Sequence, residues 1–269
     1  VAAYHGYNFL LARENLTDHL PLNKKKDKIR QRLLKIRAKK VIVATGSIER
    51  PLIFNNNDRP GIILSSAIKK YSDYYGVVCG KENILFTNND SAYETAISLF
   101  NKGIKINAII DIREKVNSEI TNHAEKIGIK IYNSYTIVDT SGYRRIKEVS
   151  IMKLSKDGQS VTGSKIKIKC NCLGISGGWT PAVHLFTQSG GKLKFDNEDN
   201  VFIPSKYPSD QISIGSCNGE FDLNTIIKNF NQNIKNFLGI DKTSFEDLKI
   251  NSTKEILKRN IWLLPSDKA

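Results

Sequence analysis

Lys39-Lys40-Val41-Ile42-Val43-Ala44-Thr45-Gly46 is the stretch from which the fold is read. Three consecutive β-branched residues make a short strand, and a wholly apolar run implies a parallel strand buried on both faces. Small residues at its carboxyl end make a turn, and in a doubly wound sheet such turns let the backbone approach a bound ligand. Pro51, in Ser47-Ile48-Glu49-Arg50-Pro51, keeps a helix from propagating straight out of that turn. Upstream, Tyr7 to Leu20 and Arg32 to Ala38 have strand-like spacing and flank a lysine-rich surface turn. Downstream, Ser65 is positioned to cap a helix from Ser66 to about Tyr75, closed by Gly76.

A second unit begins near Lys81. Asn83 to Thr87 reads as a strand, Asn88-Asn89-Asp90 as a turn, and Ser91 to Lys102 as an amphipathic helix stopped by Gly103. Ile104 to Ile112 is the next strand, Asn117 to Ile127 a helix stopped by Gly128, and Ile129 to Tyr132 a third strand. Such a β-α-β-α-β series with short connections implies a parallel, doubly wound sheet. Ile146 to Leu154 and Lys165 to Lys169 flank the Asp157-Gly158 turn as an antiparallel hairpin.

The first style of pattern returns near Lys169. Cys172 to Pro181 is a strand leading into a glycine-rich loop, and Gln211 to Gly219 a strand ending in another glycine turn. Asp222 or Asn224 caps a helix to about Phe237, closed by Gly239. The N-terminus of that helix offers free N–H groups to a phosphate. The expected organisation is a first dinucleotide-binding domain made of 1–80 plus 167–240, an inserted Rossmann-like domain at 81–166, and a connector at 241–269 with one short helix near Ser252 to Arg259.

Composition excludes several classes. The 269 residues are 40% hydrophobic and 25% charged, with no apolar run near the ~20 residues of a bilayer-spanning helix. With no basic-then-apolar leader after Val1, the reading is a soluble, cytoplasmic chain, truncated at its start. The net charge of +14 raises nucleic acid as a partner, but the lysines are scattered. The densest cluster, Lys24, Lys25, Lys26 and Lys28, reads as a solvated loop, so neither nucleic acid nor membrane is expected. Cys79, Cys170, Cys172 and Cys217 are too few and too widely placed for a disulfide framework, and no metal-ligand spacing occurs. Cys170 and Cys172, two apart in one strand, are expected on one face as core thiols.

The nesting of one strand–turn unit around a complete β-α-β-α-β module is the layout of glutathione-reductase-like FAD/NAD(P)-binding folds, with two nested three-layer Rossmann-type domains. Specific blocks sharpen this. Val43-Ala44-Thr45-Gly46-Ser47-Ile48-Glu49-Arg50-Pro51, Phe86-Thr87-Asn88-Asn89-Asp90-Ser91-Ala92-Tyr93, Ser176-Gly177-Gly178-Trp179-Thr180-Pro181 and Gln188-Ser189-Gly190-Gly191 follow in order. The series resembles the alpha subunits of heterotetrameric sarcosine oxidase over nearly the whole chain.

That resemblance implies an oxidoreductase converting sarcosine to glycine with dioxygen and tetrahydrofolate. It implies beta, gamma and delta partner subunits, FAD in the beta subunit, FMN at the alpha–beta interface, and NAD in the alpha subunit. Carried over, Ala44, Thr45 and Gly46, with Gly215, Ser216 and Asn218, line the NAD site. Ser216 stands where related flavoproteins place an Asp, a departure compatible with NAD rather than FAD. The family's glycine-rich first turn is expected upstream of Val1 and its folate domain beyond Ala269, so this segment alone is expected to bind dinucleotide weakly.

In the inserted module, Tyr93 and Asp90 put bulk and negative charge where G-x-G-x-x-G would cradle a diphosphate, so its nicotinamide site is expected to be lost. His184 reads as structural, and no catalytic residue is identified. Two alternatives stay open: the alpha subunit of a proline, hydroxyproline or opine dehydrogenase, and a non-catalytic NAD-binding scaffold.

Overall fold

The computed structural model describes residues 3–26, 28–208, 210–239 and 259–267. The chain divides into two compact units, Val1–Ile48 with Thr180–Ser252 and Glu49–Trp179 with Thr253–Ala269. The first unit opens with β1 (Ala3–His5), β2 (Phe9–Asn15) and β3 (Gln31–Arg37), an antiparallel sheet in that order. The lysine-rich segment is the turn between β2 and β3, where Arg30 pairs with Asp18 at 2.8 Å. β4 (Val41–Val43) follows, and the chain enters the second unit through β5 (Ser47–Glu49).

The second unit contains β6 (Ile62–Leu64), α1 (Ser65–Tyr75), β7 (Asn83–Thr87), α2 (Ser91–Asn101), β8 (Ile106–Asp111), α3 (Glu119–Lys126) and β9 (Ile131–Asn133). β10 (Tyr135–Ser141), β11 (Glu148–Leu154), β12 (Val161–Lys169) and β13 (Cys172–Ser176) complete it. Its five-stranded sheet runs β6-β13-β7-β8-β9, every pair parallel. The strand period of two sends Ile84 and Phe86 to one face and Leu85 to the other. Ile84, Phe86, Ile110, Leu173 and Ile175 pack with Ile137, Val149, Ile151 and Leu154 of the antiparallel β10-β11-β12 sheet. Leu85 and Ile109 pack with Ala92, Tyr93 and Ala96 of α2 and Ala124 of α3. The result is a three-layer unit.

The chain returns through β14 (Trp179–Pro181) to the first unit, with α4 (His184–Gln188), the antiparallel pair β15 (Lys192–Asp196) and β16 (Val201–Lys206), β17 (Gln211–Ser213) and α5 (Leu223–Leu238). Tyr4, Val43 and Cys217 form its small buried cluster.

Several expectations change. The units meet at 48/49 and 179/180 rather than at 80/81 and 166/167. The reason is pairing: β13 lies between β6 and β7, with Leu173 opposite both Ile62 and Ile84. The hairpin around Asp157-Gly158 has a third strand, β10, on its outer side. Ser65 does not cap α1; it is the first helical residue, and the Glu49 carboxylate accepts the Ser66 N–H at 2.8 Å instead. Cys170 and Cys172 are both buried but enter different clusters, because β12 has ended before Cys170 and β13 starts at Cys172. Burial pushes both thiols up to about 12.

The expected 241–269 connector is only partly described. The helix near Ser252 to Arg259 falls almost wholly outside the described residues. Residues 259–267 belong to the second unit, where Leu264 is in the main core.

Candidate functional site

β4 and β17 lie side by side and parallel, with Val41 opposite Gln211 and Val43 opposite Ser213. The register therefore brings their carboxyl-end turns together. Ala44-Thr45-Gly46 leaves one strand and Ile214-Gly215-Ser216 leaves the other, tied by Ile214 N–H donating to Val43 O at 3.0 Å. Gly46 has φ +73° and Gly215 φ +72°, a region costly for side chains with a Cβ. A methyl group on Gly46 would lie 4.0 Å from Ser216 Oγ and touch nothing closer outside its immediate chain neighbours. Gly46 and Ser216 thus face the same small space.

The first turn is fixed from below. Thr45 Oγ1 donates to Ala182 O at 2.6 Å, and Ala182 N–H donates back to Gly46 O at 2.9 Å. The second turn is fixed by Cys217, whose thiol lies 3.3 Å from Val43 O. Ala44 and Thr45 are exposed, while Gly46, Gly215, Ser216 and Asn218 are half-buried. All six predicted residues belong to these two turns.

Two details of the expected site are corrected. β4 is covered on one face only: Val43 is buried, but Ile42 is 39% exposed, and among the described residues only β17 pairs with β4. The glycine turn does not run directly into a helix. Gly215–Asn218 is a 3-10 turn, and α5 starts at Leu223 with Asp222 as its N-cap. The Asp222 carboxylate accepts the Thr225 N–H at 2.8 Å, so a negative charge stands at the α5 terminus, where phosphate was expected. His184 opens α4 on the surface.

The corresponding turn of the second unit is closed by its own side chains. Asn89 Nδ2 donates to Asn88 Oδ1, Ser176 O and Ser176 Oγ at 2.9–3.2 Å, and its Oδ1 accepts the Ser91 N–H at 3.0 Å. Tyr93, 1% exposed, donates its hydroxyl to Asp111 Oδ2 at 2.8 Å. Arg113 donates Nε and Nη2 to the Asp111 carboxylate, with Nη2 at 2.7 Å from Oδ2, and pairs with Asp90 at 2.8 Å. Asp111 ends the strand after the turn, at the place where a dinucleotide fold keeps a carboxylate for the ribose hydroxyl. Here that carboxylate is taken up.

Burial pushes the Asp111 carboxyl and the Tyr93 phenol above their ordinary values. Burial works against the Arg113 cation, yet Asp111 and Asp90 hold its pKa above the ordinary guanidinium value. The sequence reading missed this network. Its signal was an acid ending a strand roughly twenty residues after a strand–turn–helix junction. Among the described residues no group of three or more His, Cys, Asp or Glu is disposed to hold a metal, and no helix is long and apolar enough to cross a membrane.

No protein-family model matches the chain. It is 34% identical over 224 residues to the sarcosine oxidase subunit alpha of Corynebacterium sp. (strain P-1), an alignment covering 82% of this chain and 23% of that protein. It is 31% identical to the same subunit of Corynebacterium sp. (strain U-96), over 80% of this chain and 22% of that one. The chain therefore spans less than a quarter of the length of these relatives.

Among solved structures it is similar to the Cu(II) complex of the HOCl-induced flavoprotein disulfide reductase RclA from Escherichia coli, with TM-score 0.53 and 15% identity over 77% of this chain and 45% of that one. It is also similar to T. acidophilum thioredoxin reductase, with TM-score 0.51 and 17% identity over 71% and 62%. These likenesses concern the fold, which is the α/β, glutathione-reductase-like FAD/NAD(P)-binding class.

Proposed function

We propose, from the premise that this chain belongs to the sarcosine oxidase alpha-subunit family over the 80–82% of it that aligns with the corynebacterial proteins, that it is the dinucleotide-housing portion of a multi-subunit, flavin-dependent amine oxidase. Sarcosine is the proposed donor and glycine the product, with dioxygen and tetrahydrofolate as acceptors of electrons and of the one-carbon unit. Beta, gamma and delta subunits are the proposed partners, with FAD in the beta subunit and FMN at an interface to which this chain contributes. The redox chemistry is supplied by the flavins when bound; protein groups bind, orient and tune them.

NAD is assigned to the first unit. The observation that carries this reading is the meeting of Gly46 and Ser216 beyond the carboxyl ends of β4 and β17. In that arrangement, Gly46 and Gly215 leave room for close backbone approach and Ser216 and Asn218 supply polar groups. No carboxylate lies within Ala44–Gly46 or Gly215–Asn218 themselves; Glu220 and Asp222 follow the second turn directly. This segment alone is expected to hold NAD weakly, since only one β-strand pair frames the site among the described residues. In the second unit the nicotinamide site is proposed to be lost.

The test uses the full-length subunit assembled with its partners. Peroxide release from sarcosine is the expected activity. Turnover of proline alone would favour a dehydrogenase of the same architecture, and turnover of no amine would favour a scaffold role. Calorimetric titration with NAD is expected to show at least a tenfold loss of affinity in Gly46→Val. Unchanged affinity in that variant would reject the assigned site.

A further inference from the structure

In an open α/β sheet the ligand crevice lies outside the carboxyl ends of the strands, where neighbouring connections part to opposite sides. In the second unit that place is between β7 and β13: β7 leads through α2 to β8 on one side, while β13 and β6 lie on the other. The residues just past β13, β7 and β8 are Gly177, Asn88 and Ile112. Each of them is bonded to residues 259–267 of the same chain.

Trp262 Nε1 donates to Gly177 O at 2.6 Å. Asn88 Nδ2 donates to Arg259 O at 3.1 Å, and Arg259 N–H donates to Asn88 O at 3.3 Å. The Arg259 guanidinium donates to Ile112 O at 2.5 Å and to Ser155 O and Lys156 O at 3.0 and 2.6 Å. The segment also pairs with Ile53 through a single parallel bridge: Ile53 N–H donates to Trp262 O at 2.7 Å and Leu264 N–H to Ile53 O at 2.9 Å. The Trp262 ring lies 4.3 Å from the Arg50 guanidinium, and a Cβ on Gly177 would come within 3.0 Å of Trp262 Cδ1. Lys165 and Asp267 close the far end with an ion pair at 2.5 Å.

We infer that the second unit's crevice is a peptide-binding cleft whose resident occupant is the chain's own segment 259–267. The segment uses backbone pairing, one indole in a glycine notch and one guanidinium reading three carbonyls, which is a mode of strand addition to an open backbone edge. The Tyr93–Asp111–Arg113 network removes the ribose-binding carboxylate from the same crevice, so the unit holds peptide in the place of a coenzyme. The inference does not depend on NAD binding to the first unit.

Hydrogen–deuterium exchange on the full-length chain tests it, with NADH as the probe and with Trp262→Ala, Trp262→Phe and Arg259→Ala as variants. In the unsubstituted chain, millimolar NADH should leave exchange over 84–93, 109–114, 174–178 and 259–265 unchanged. Trp262→Ala and Arg259→Ala should speed exchange of the Ile53 and Leu264 amides at least tenfold while β7 and β8 stay protected. Trp262→Phe keeps an aromatic ring beside Arg50 but loses the indole N–H bond to Gly177, so it should give a smaller increase at the same amides and serves as the readout if the alanine variant fails to fold. Slower exchange over 84–93 with NADH, or release of 259–265 by it, would overturn the inference. Unchanged exchange at Ile53 and Leu264 in the variants would do so as well. A failure of the first-unit assignment appears instead in 41–48 and 211–220, so the two outcomes are separable.

Discussion

Replacing Arg113 by methionine gives the most direct test of how the second unit is held together. The Arg113 side chain is 4% exposed and that of Asp111 not at all, so the variant leaves a buried carboxylate with only the Tyr93 hydroxyl and the backbone N–H of residue 113 to donate to it. Breaking a buried pair from one side costs about 3–5 kcal/mol, because the remaining charge keeps its desolvation penalty. With a urea dependence of roughly 2 kcal/mol per molar, the unfolding midpoint falls by about 2 M. Both tryptophans, Trp179 and Trp262, lie in the second unit, so indole fluorescence reports its unfolding without signal from the first.

The penalty should also depend on pH in a defined direction. Burial already holds the Asp111 carboxyl above its ordinary value, and losing Arg113 removes the main opposing pull. A folded-state pKa above the unfolded one means that protons favour the folded variant. The loss is therefore full above the folded pKa and shrinks as pH falls through it toward the unfolded value near ~4. The double variant Asp111→Asn/Arg113→Met should recover at least ~2 kcal/mol at pH 7, since the fully buried Asp111 charge is then gone and only the less buried Asp90 is left without its Arg113 partner. A loss under ~1 kcal/mol at pH 7, or one that grows between pH 7 and pH 5, would refute the reasoning.

Three further outcomes follow from named contacts. Gly46→Val forces a β-branched residue to φ +73° and should destabilise the first unit by about 1–2 kcal/mol, read as faster amide exchange over 41–48, with the indole-detected transition unchanged. Glu49→Ala exposes the Ser66 N–H that the carboxylate now accepts and should cost about 1 kcal/mol in the indole-detected transition; no shift would mean that water replaces the cap fully. Cys170 and Cys172, held near 12, should be essentially unmodified by a disulfide reagent at pH 7.5, with a thiolate fraction on the order of 1 in 10,000 or lower, while half-buried Cys79 is labelled first by mass spectrometry. Prompt labelling of Cys172 would show that the sheet opens readily.

Much of the fold could be read along the chain because its signals are local. Asn83 to Thr87 is a five-residue strand with an apolar centre, Gly103 and Gly128 stop their helices, and the alternation β7-α2-β8-α3-β9 is the observed parallel module. The two candidate turns were readable for the same reason, since a β-branched run ending in glycine needs only a few residues to declare itself. Strand partners were not readable. Cys172 to Ser176 looks the same whichever sheet receives it, and the boundary at 166/167 failed on that point. Helix caps were half readable: Asp222 lies next to α5 in sequence, but Glu49 reaches Ser66 from 17 residues away.

What the sequence determined by itself was therefore the inventory of elements, the two glycine turns and the resemblance carried by its specific blocks. These depend on residue order over short windows, where propensity and periodicity act. What only the tertiary structure decided was which turns meet and what fills the space beside them. Gly46 and Ser216 are 170 residues apart and Asn88 and Arg259 are 171 apart, yet the first pair is brought together by the β4–β17 register and the second by hydrogen bonds across the end of β7. No local pattern encodes such a meeting, because it is fixed by the burial of apolar faces across the whole unit and by the hydrogen bonds left over once those faces are closed.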